Sequence, residues 1–92
     1  MKLLLLTMPN CNACIRLKNL LDNLQYSLIE TPFFYEVINV EKNPEYVGKY
    51  QMQSAPLLVF PSGFILRYAM GLSPLQDLIE KEYINLKEKE EL

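Results

Sequence analysis

The segment Lys2–Thr7 carries a continuous apolar run with no alternation of polar positions. A strand that faces water on one side alternates, so an unbroken run predicts a central parallel strand covered on both faces. Pro9-Asn10 ends it, and a helix is predicted from about Asn12. Leu17, Leu20, Leu21, Leu24 and Leu28 fall at helical spacing on one face, and Arg16, Lys18, Asn19, Asp22 and Asn23 fall on the other. Thr31-Pro32 ends this helix at the latest, because the residue before a proline is pushed out of helical geometry.

Phe33–Val40 is rich in aromatic and β-branched residues and reads as a second strand. Asn43-Pro44-Glu45 reads as a helix start, with Asn43 as N-cap, and the helix is expected to run to about Gln51. Leu57–Phe60 is a short apolar strand, Pro61-Ser62-Gly63 a tight turn, and Phe64–Ala69 a returning strand, which together make a hairpin. Ser73-Pro74-Leu75-Gln76 has the form of a capping box ahead of a last helix. That helix carries its apolar stripe on Leu75, Leu78, Ile79, Tyr83 and Leu86. Residues 87–92 are charged, have no stripe, and are expected to be a frayed helix end or tail. The expected order is βαβαββα. A βαβ unit joins two parallel strands by a right-handed crossover, and the hairpin completes a mixed four-stranded sheet flanked by three helices. The class is α/β.

Length and composition narrow the chemistry. Ninety-two residues is the size of one small domain, and half of them are apolar. Such a domain buries roughly 65% of the surface of its unfolded chain. There is no histidine. That removes Ser-His-Asp and Cys-His nucleophiles, and every His-ligated zinc or haem site. The net charge is −2, and all of it lies in residues 80–92, since residues 1–79 hold six basic and six acidic side chains. A neutral body argues against nucleic acid, whose binding rests on clustered Lys and Arg, and against a polybasic membrane patch. The apolar start is too short for a signal-peptide core or a membrane span, and a cytoplasmic location is expected.

The remaining chemistry is concentrated at Cys11 and Cys14, the only two cysteines. They are three apart, between the first strand and the first helix. At the first turn of a helix such residues share a face and can bridge. The unpaired amide hydrogens there, and the positive end of the helix dipole, favour a thiolate. Cys11 would attack a substrate disulfide, and Cys14 would resolve the mixed disulfide. Two other readings of the same residues stand beside this one. The cysteines could be a buried structural pair, or half of a zinc or iron–sulfur site that needs further ligands from a second copy or from carboxylates. Pro56, after Ser54-Ala55, reads from the residues alone as a proline opening a strand.

Four pieces, in order, resemble the thioredoxin superfamily: Pro9-Asn10-Cys11-Asn12-Ala13-Cys14; Asn43-Pro44-Glu45 with Lys49-Tyr50; Ser54-Ala55-Pro56-Leu57 with Phe60 and Gly63; and Gly71 before the last helix. The resemblance spans nearly the whole chain and implies a thioredoxin-like fold of glutaredoxin size. It implies that Pro56 is cis and faces the active-site disulfide, and that the Ala55 backbone pairs with a bound substrate chain. Asn10, Asn12, Ala55, Pro56, Met70 and Gly71 would form the substrate groove, with Cys11 and Cys14 catalytic.

The chain also departs from the family. Asn10 stands where thioredoxins usually have Trp, Leu5 where they have a buried Asp, and Met8 where glutaredoxins often have Lys. The stretch Met70 to Leu75 lacks the acid that holds glutathione. Ala55-Pro56 with Gly71 and Pro74 is similar to glutaredoxin-like redoxins that take electrons from thioredoxin reductase and serve ribonucleotide reductase. The expectation is therefore a monomeric redoxin without cofactor or metal that reduces protein disulfides. Glutathione is the alternative donor. A non-enzymatic thioredoxin-like adaptor, or a metal-bridged dimer, is the reading from another class.

Overall fold

Leu3, Leu5 and Leu6 are completely buried in the computed structural model, which describes residues 1–68 and 70–90. They belong to β1 (Lys2–Thr7), which lies inside a four-stranded sheet of order β2-β1-β3-β4. β2 (Phe34–Asn39) runs parallel to β1, with Leu5 opposite Val37. β3 (Leu57–Val59) runs antiparallel to β1, with Leu6 opposite Leu57, and β4 (Ile65–Leu66) is antiparallel to β3. The unbroken apolar run is explained by this position. Leu3 and Leu5 point to one face, where α1 (Asn12–Ser27) and α3 (Leu72–Glu88) bring Leu17, Leu21, Leu24, Leu75 and Ile79. Leu6 points to the other face, with Ile38, Val40, Leu57 and Val59, where Tyr46 of the short α2 (Glu45–Lys49) and Tyr50 just after it pack.

The element order is βαβαββα, as the hydrophobic pattern predicts. Several ends differ. β2 lacks Phe33 and Val40 as strand residues, although Phe34 N–H and Val40 N–H still donate to the carbonyls of Met1 and Thr7 at its two ends. α2 stops at Lys49 rather than Gln51. Gln51 takes the left-handed conformation (φ 51°), its N–H donates to the Gly48 carbonyl, and Met52 N–H donates to the Val47 carbonyl. That pair of bonds is a Schellman closure. Asn43 does not cap this helix through its side chain. Its amide donates to the Asn39 carbonyl instead, and Pro44 takes the N-cap place with no side-chain bond.

β4 is two residues long rather than the expected Phe64–Ala69, of which Ala69 lies outside the described residues. After Leu66 the chain turns aside, and the Arg67 guanidinium donates to the carbonyls of Tyr50 (2.8 Å) and Gln51 (3.3 Å). Arginine thus meets the exposed carbonyls at the end of α2, where positive charge is favoured.

The capping box at Ser73 is not formed. Gly71 is the N-cap, Leu75 N–H donates to its carbonyl, and Ser73 sits inside the first turn. Proline misleads here because every first-turn N–H is unpaired, so Pro74 fits one or two places further in than the first helical residue. α3 continues to Glu88, so Lys87 and Glu88 are helical; the last two residues of the expected tail, 91–92, lie outside the described residues.

Two polar contacts tie the layers together. Glu82 is 7% exposed and lies on the same helical face as Leu75, Ile79 and Leu86. Its carboxylate accepts from Ser62 N–H (2.7 Å) and Ser62 Oγ–H (2.8 Å), in the three-residue turn between β3 and β4. Gly63 there has φ 95°, the left-handed position this turn form reserves for glycine. On the sheet's other side of β1, the Tyr35 hydroxyl of β2 donates to Asp22 of α1. Asp22 also pairs with Lys18 at 3.1 Å. Desolvation, and then the bond to Asp22, push the Tyr35 phenol up to about 12. The Tyr35 bond, and then Lys18, hold the Asp22 carboxyl below its usual value.

Two predictions follow from these contacts. Glu82→Ala leaves Ser62 N–H without its acceptor and should lower the unfolding free energy by about 2 kcal/mol. The exposed Lys81→Ala should change it by less than about 0.5 kcal/mol in the same urea titrations. The Tyr35 contribution to stability is complete below the ordinary phenol value near 10 and is lost as pH rises through about 12. The Asp22 contribution is present above the ordinary carboxyl value and is lost as pH falls through its depressed folded value. Asp22→Asn should bring the Tyr35 midpoint part of the way back toward 10, since desolvation is the larger cause. NMR titration of labelled tyrosine reads this directly.

Candidate active site

The chain leaves β1 at Thr7 and enters α1 at Asn12, with only Met8 to Cys11 between them. Those four residues must reverse the chain so that α1 can lie back across the sheet. Pro9 and Asn10 form the turn, and Asn10 has φ 57°. A proline followed by a left-handed residue is a pairing that suits a type II turn. Most L residues pay about 1–2 kcal/mol for that conformation, while Asn tolerates it.

Cys11 follows with extended backbone (φ −108°, ψ 100°) and is the N-cap of α1. Its carbonyl accepts the first helical bond, from Ile15 N–H. Its Sγ accepts from Cys14 N–H at 3.0 Å, in the place a Ser or Asp oxygen takes in an ordinary cap. Cys11 and Cys14 are joined in a disulfide with a Cα–Cα distance of 5.2 Å, well inside the range a disulfide accepts. The two sulfurs differ in access. Cys11 is half-buried, whereas Cys14 is 4% exposed and faces inward with Leu17 and Leu21 of the same helix. No acidic residue lies in the first turn of α1, so nothing there opposes negative charge on Cys11.

β1 pairing brings Ala55 and Pro56 to the same end of the sheet. Leu57 stands opposite Leu6, so Pro56 lies level with the end of β1, where the Cys11 loop begins. The Ala55–Pro56 bond is cis. Ser54, Gln53 and Gln51, on the segment before Pro56, line a polar cavity of about 400 Å³ together with Arg67. On the α1 side, Met70 closes an apolar cavity of about 280 Å³ against Ala13, Arg16, Leu17 and Leu20. Gly71, next to Met70, starts α3. Asn10 and Asn12 are exposed on the loop and at the helix start.

The six residues expected to form a groove therefore lie on the three segments that meet at this end of the sheet. Sequence reasoning missed Arg67, whose role depends on where β4 breaks off. It also missed the left-handed turn at Asn10, although the Pro9-Asn10 pair carries that signal. Leu5, on β1, is completely buried, so the strand offers a hydrocarbon where thioredoxins have an acid. A larger cavity, of about 690 Å³, opens at the other end of β1 beside Met1, Phe34 and Leu86, away from the disulfide.

Among solved structures, the chain is similar to an uncharacterised thioredoxin-like protein of Clostridium perfringens (TM-score 0.67, 15% identity, 87% of this chain and 68% of that one). It is similar to thioredoxin-2 of the malaria parasite, a component of its protein secretion machinery (TM-score 0.70, 20% identity, 87% and 81%). It is also similar to the glutaredoxin-like NrdH-redoxin of Escherichia coli (TM-score 0.61, 21% identity, 88% and 93%). The fold is thioredoxin-like. No protein-family model and no curated protein sequence matches the chain. At these identities the likeness extends to the fold, and the chemistry rests on the residues just described.

Those residues form a thioredoxin-like CxxC at a helix start, with an accessible first sulfur and a buried second one. Among the described residues, no group of three or more Cys, Asp or Glu side chains is placed to hold a metal ion. Also among them, no helix is long and apolar enough to cross a membrane. After reduction, the access difference predicts that iodoacetamide at neutral pH alkylates Cys11 at least about tenfold faster than Cys14. Peptide mapping after a short pulse checks the ratio.

Proposed function

We propose that this protein is a dithiol–disulfide oxidoreductase acting on protein disulfides. The observation that carries the reading is the Cys14 N–H placed 3.0 Å from Sγ of the accessible Cys11 at the start of α1. The same N–H stabilises a Cys11 thiolate when the pair is reduced. The thiolate attacks one sulfur of a substrate disulfide. That S–S bond breaks, a Cys11–substrate disulfide forms, and the released substrate thiolate takes a proton from solvent. Cys14, as thiolate, then attacks Cys11 Sγ, forms the Cys11–Cys14 bond and releases the second substrate thiolate. Two electrons pass from the dithiol to the substrate. A donor dithiol returns them by the same steps in reverse.

The Asn10–Asn12 loop, Ala55-Pro56 and Met70-Gly71 serve as the substrate groove in this reading. Thioredoxin reductase is the proposed donor, and a protein disulfide such as that of ribonucleotide reductase the proposed acceptor, in a cytoplasmic setting. Two observations support this choice over glutathione. The stretch from Met70 to Leu75 has no carboxylate to hold a γ-glutamyl ammonium. And the Escherichia coli structure above is described as that of a glutaredoxin-like protein with a thioredoxin-like activity profile.

Cys14→Ser should accumulate a mixed disulfide with substrate, seen as a mass adduct, and Cys11→Ser should be inert. A Cys11→Ser protein as active as the wild type would overturn the reading. Insulin-disulfide reduction coupled to NADPH and thioredoxin reductase should exceed reduction driven by glutathione by about tenfold or more. The opposite ratio would assign glutathione as donor.

A further inference from the structure

Three non-glycine residues among those described have positive φ: Asn10, Gln51 and Glu90. Two are explained by the helices they close. Gln51 follows the C-cap of α2, and Glu90 follows the C-cap of α3, Lys89. A left-handed residue after a helix satisfies the last carbonyls. Asn10 has no helix behind it. It lies immediately before Cys11, in the four-residue connection between β1 and α1.

We infer that Asn10 is a positioning residue whose left-handed backbone, not its side chain, aims Cys11 Sγ into the N-cap place of α1. The inference rests on Cys11 being the attacking sulfur. Pro9 fixes its own φ, which leaves it only ψ to contribute to the reversal. Of the four loop residues, Asn10 is the one with positive φ. From there the extended backbone of Cys11 sets its Sγ at 3.0 Å from Cys14 N–H. With residue 10 at negative φ, the chain would enter Cys11 from a different direction, and the sulfur would no longer lie over the first turn of α1. The Asn10 side chain is exposed, which agrees with a role carried by the main chain.

The test uses reduced full-length protein. Asn10→Gly keeps access to positive φ and removes the side chain, whereas Asn10→Val removes access to positive φ. In a Cys14→Ser background, thiolate absorbance at 240 nm against pH reports Cys11 alone. Asn10→Gly should keep the wild-type Cys11 titration, a readout that involves no substrate. Asn10→Val should titrate at higher pH and react about tenfold more slowly or worse. Asn10→Ala, a milder block on the same conformation, should fall between them and serves if the valine variant does not fold.

A valine or alanine variant that titrates as wild type would overturn the inference. So would a glycine variant that shifts as far as valine, because that assigns the effect to the side-chain amide. The titration reads the position of the sulfur without any substrate. If wild-type protein reduces no disulfide, it is the proposed function that fails, while the Asn10 inference is still decided.

Discussion

Everything in this molecule follows from the burial of β1 on both faces. Leu3 and Leu5 need cover on one side and Leu6 on the other, so the sheet must carry helices above and below. With α1 held on one face by Leu17, Leu21 and Leu24, its start has only one place to go, the end of β1. A short loop between a buried strand and a packed helix cannot drift. That fixes the first turn of α1, and with it both sulfurs, to the rigid centre of the fold.

The same constraint places backbone amides against a cysteine sulfur in a chain without histidine. Backbone amides at the start of α1 replace a basic side chain, and they cost no ionisable group. Leu5 on β1 is fully buried and contributes to the core. Around the site, the polar work is done at a distance. Arg67 fastens the break in β4 to the end of α2, and Glu82 fastens the β3–β4 turn to α3. Both hold the edges of the segments that deliver Pro56 and Met70. Neither reaches the sulfurs through any bond described.

Much of this was legible in one dimension. Strand β1 ran as predicted because a six-residue apolar run has few alternatives once proline ends it. α1 began where expected because Pro9-Asn10 and the leucine spacing agree. The failures share a cause. Ser73 and Asn43 each had the side chain of a cap, yet one lies within its helix and the other bonds back to Asn39. Capping is decided by which residue takes extended backbone, and that depends on how the preceding loop approaches. β4 was read too long because strand propensity cannot see a guanidinium drawn away to carbonyls from a segment 16 residues earlier. Glu82 was invisible as a buried group, although its spacing from Ile79 and Leu86 put it on the apolar stripe.

The sequence by itself determined the order of elements, the buried strand, and the placing of Cys11 and Cys14 at a helix start. These are local matters of periodicity, proline and spacing, which one segment settles without the others. Only the tertiary structure decided that Pro56 and Met70 share one end of the sheet with the cysteines, because strand register carries the first and helix packing the second. Only it decided that Cys11 is the accessible sulfur and Cys14 the covered one. Two residues three apart look equivalent on a helix until a core is packed against one of them.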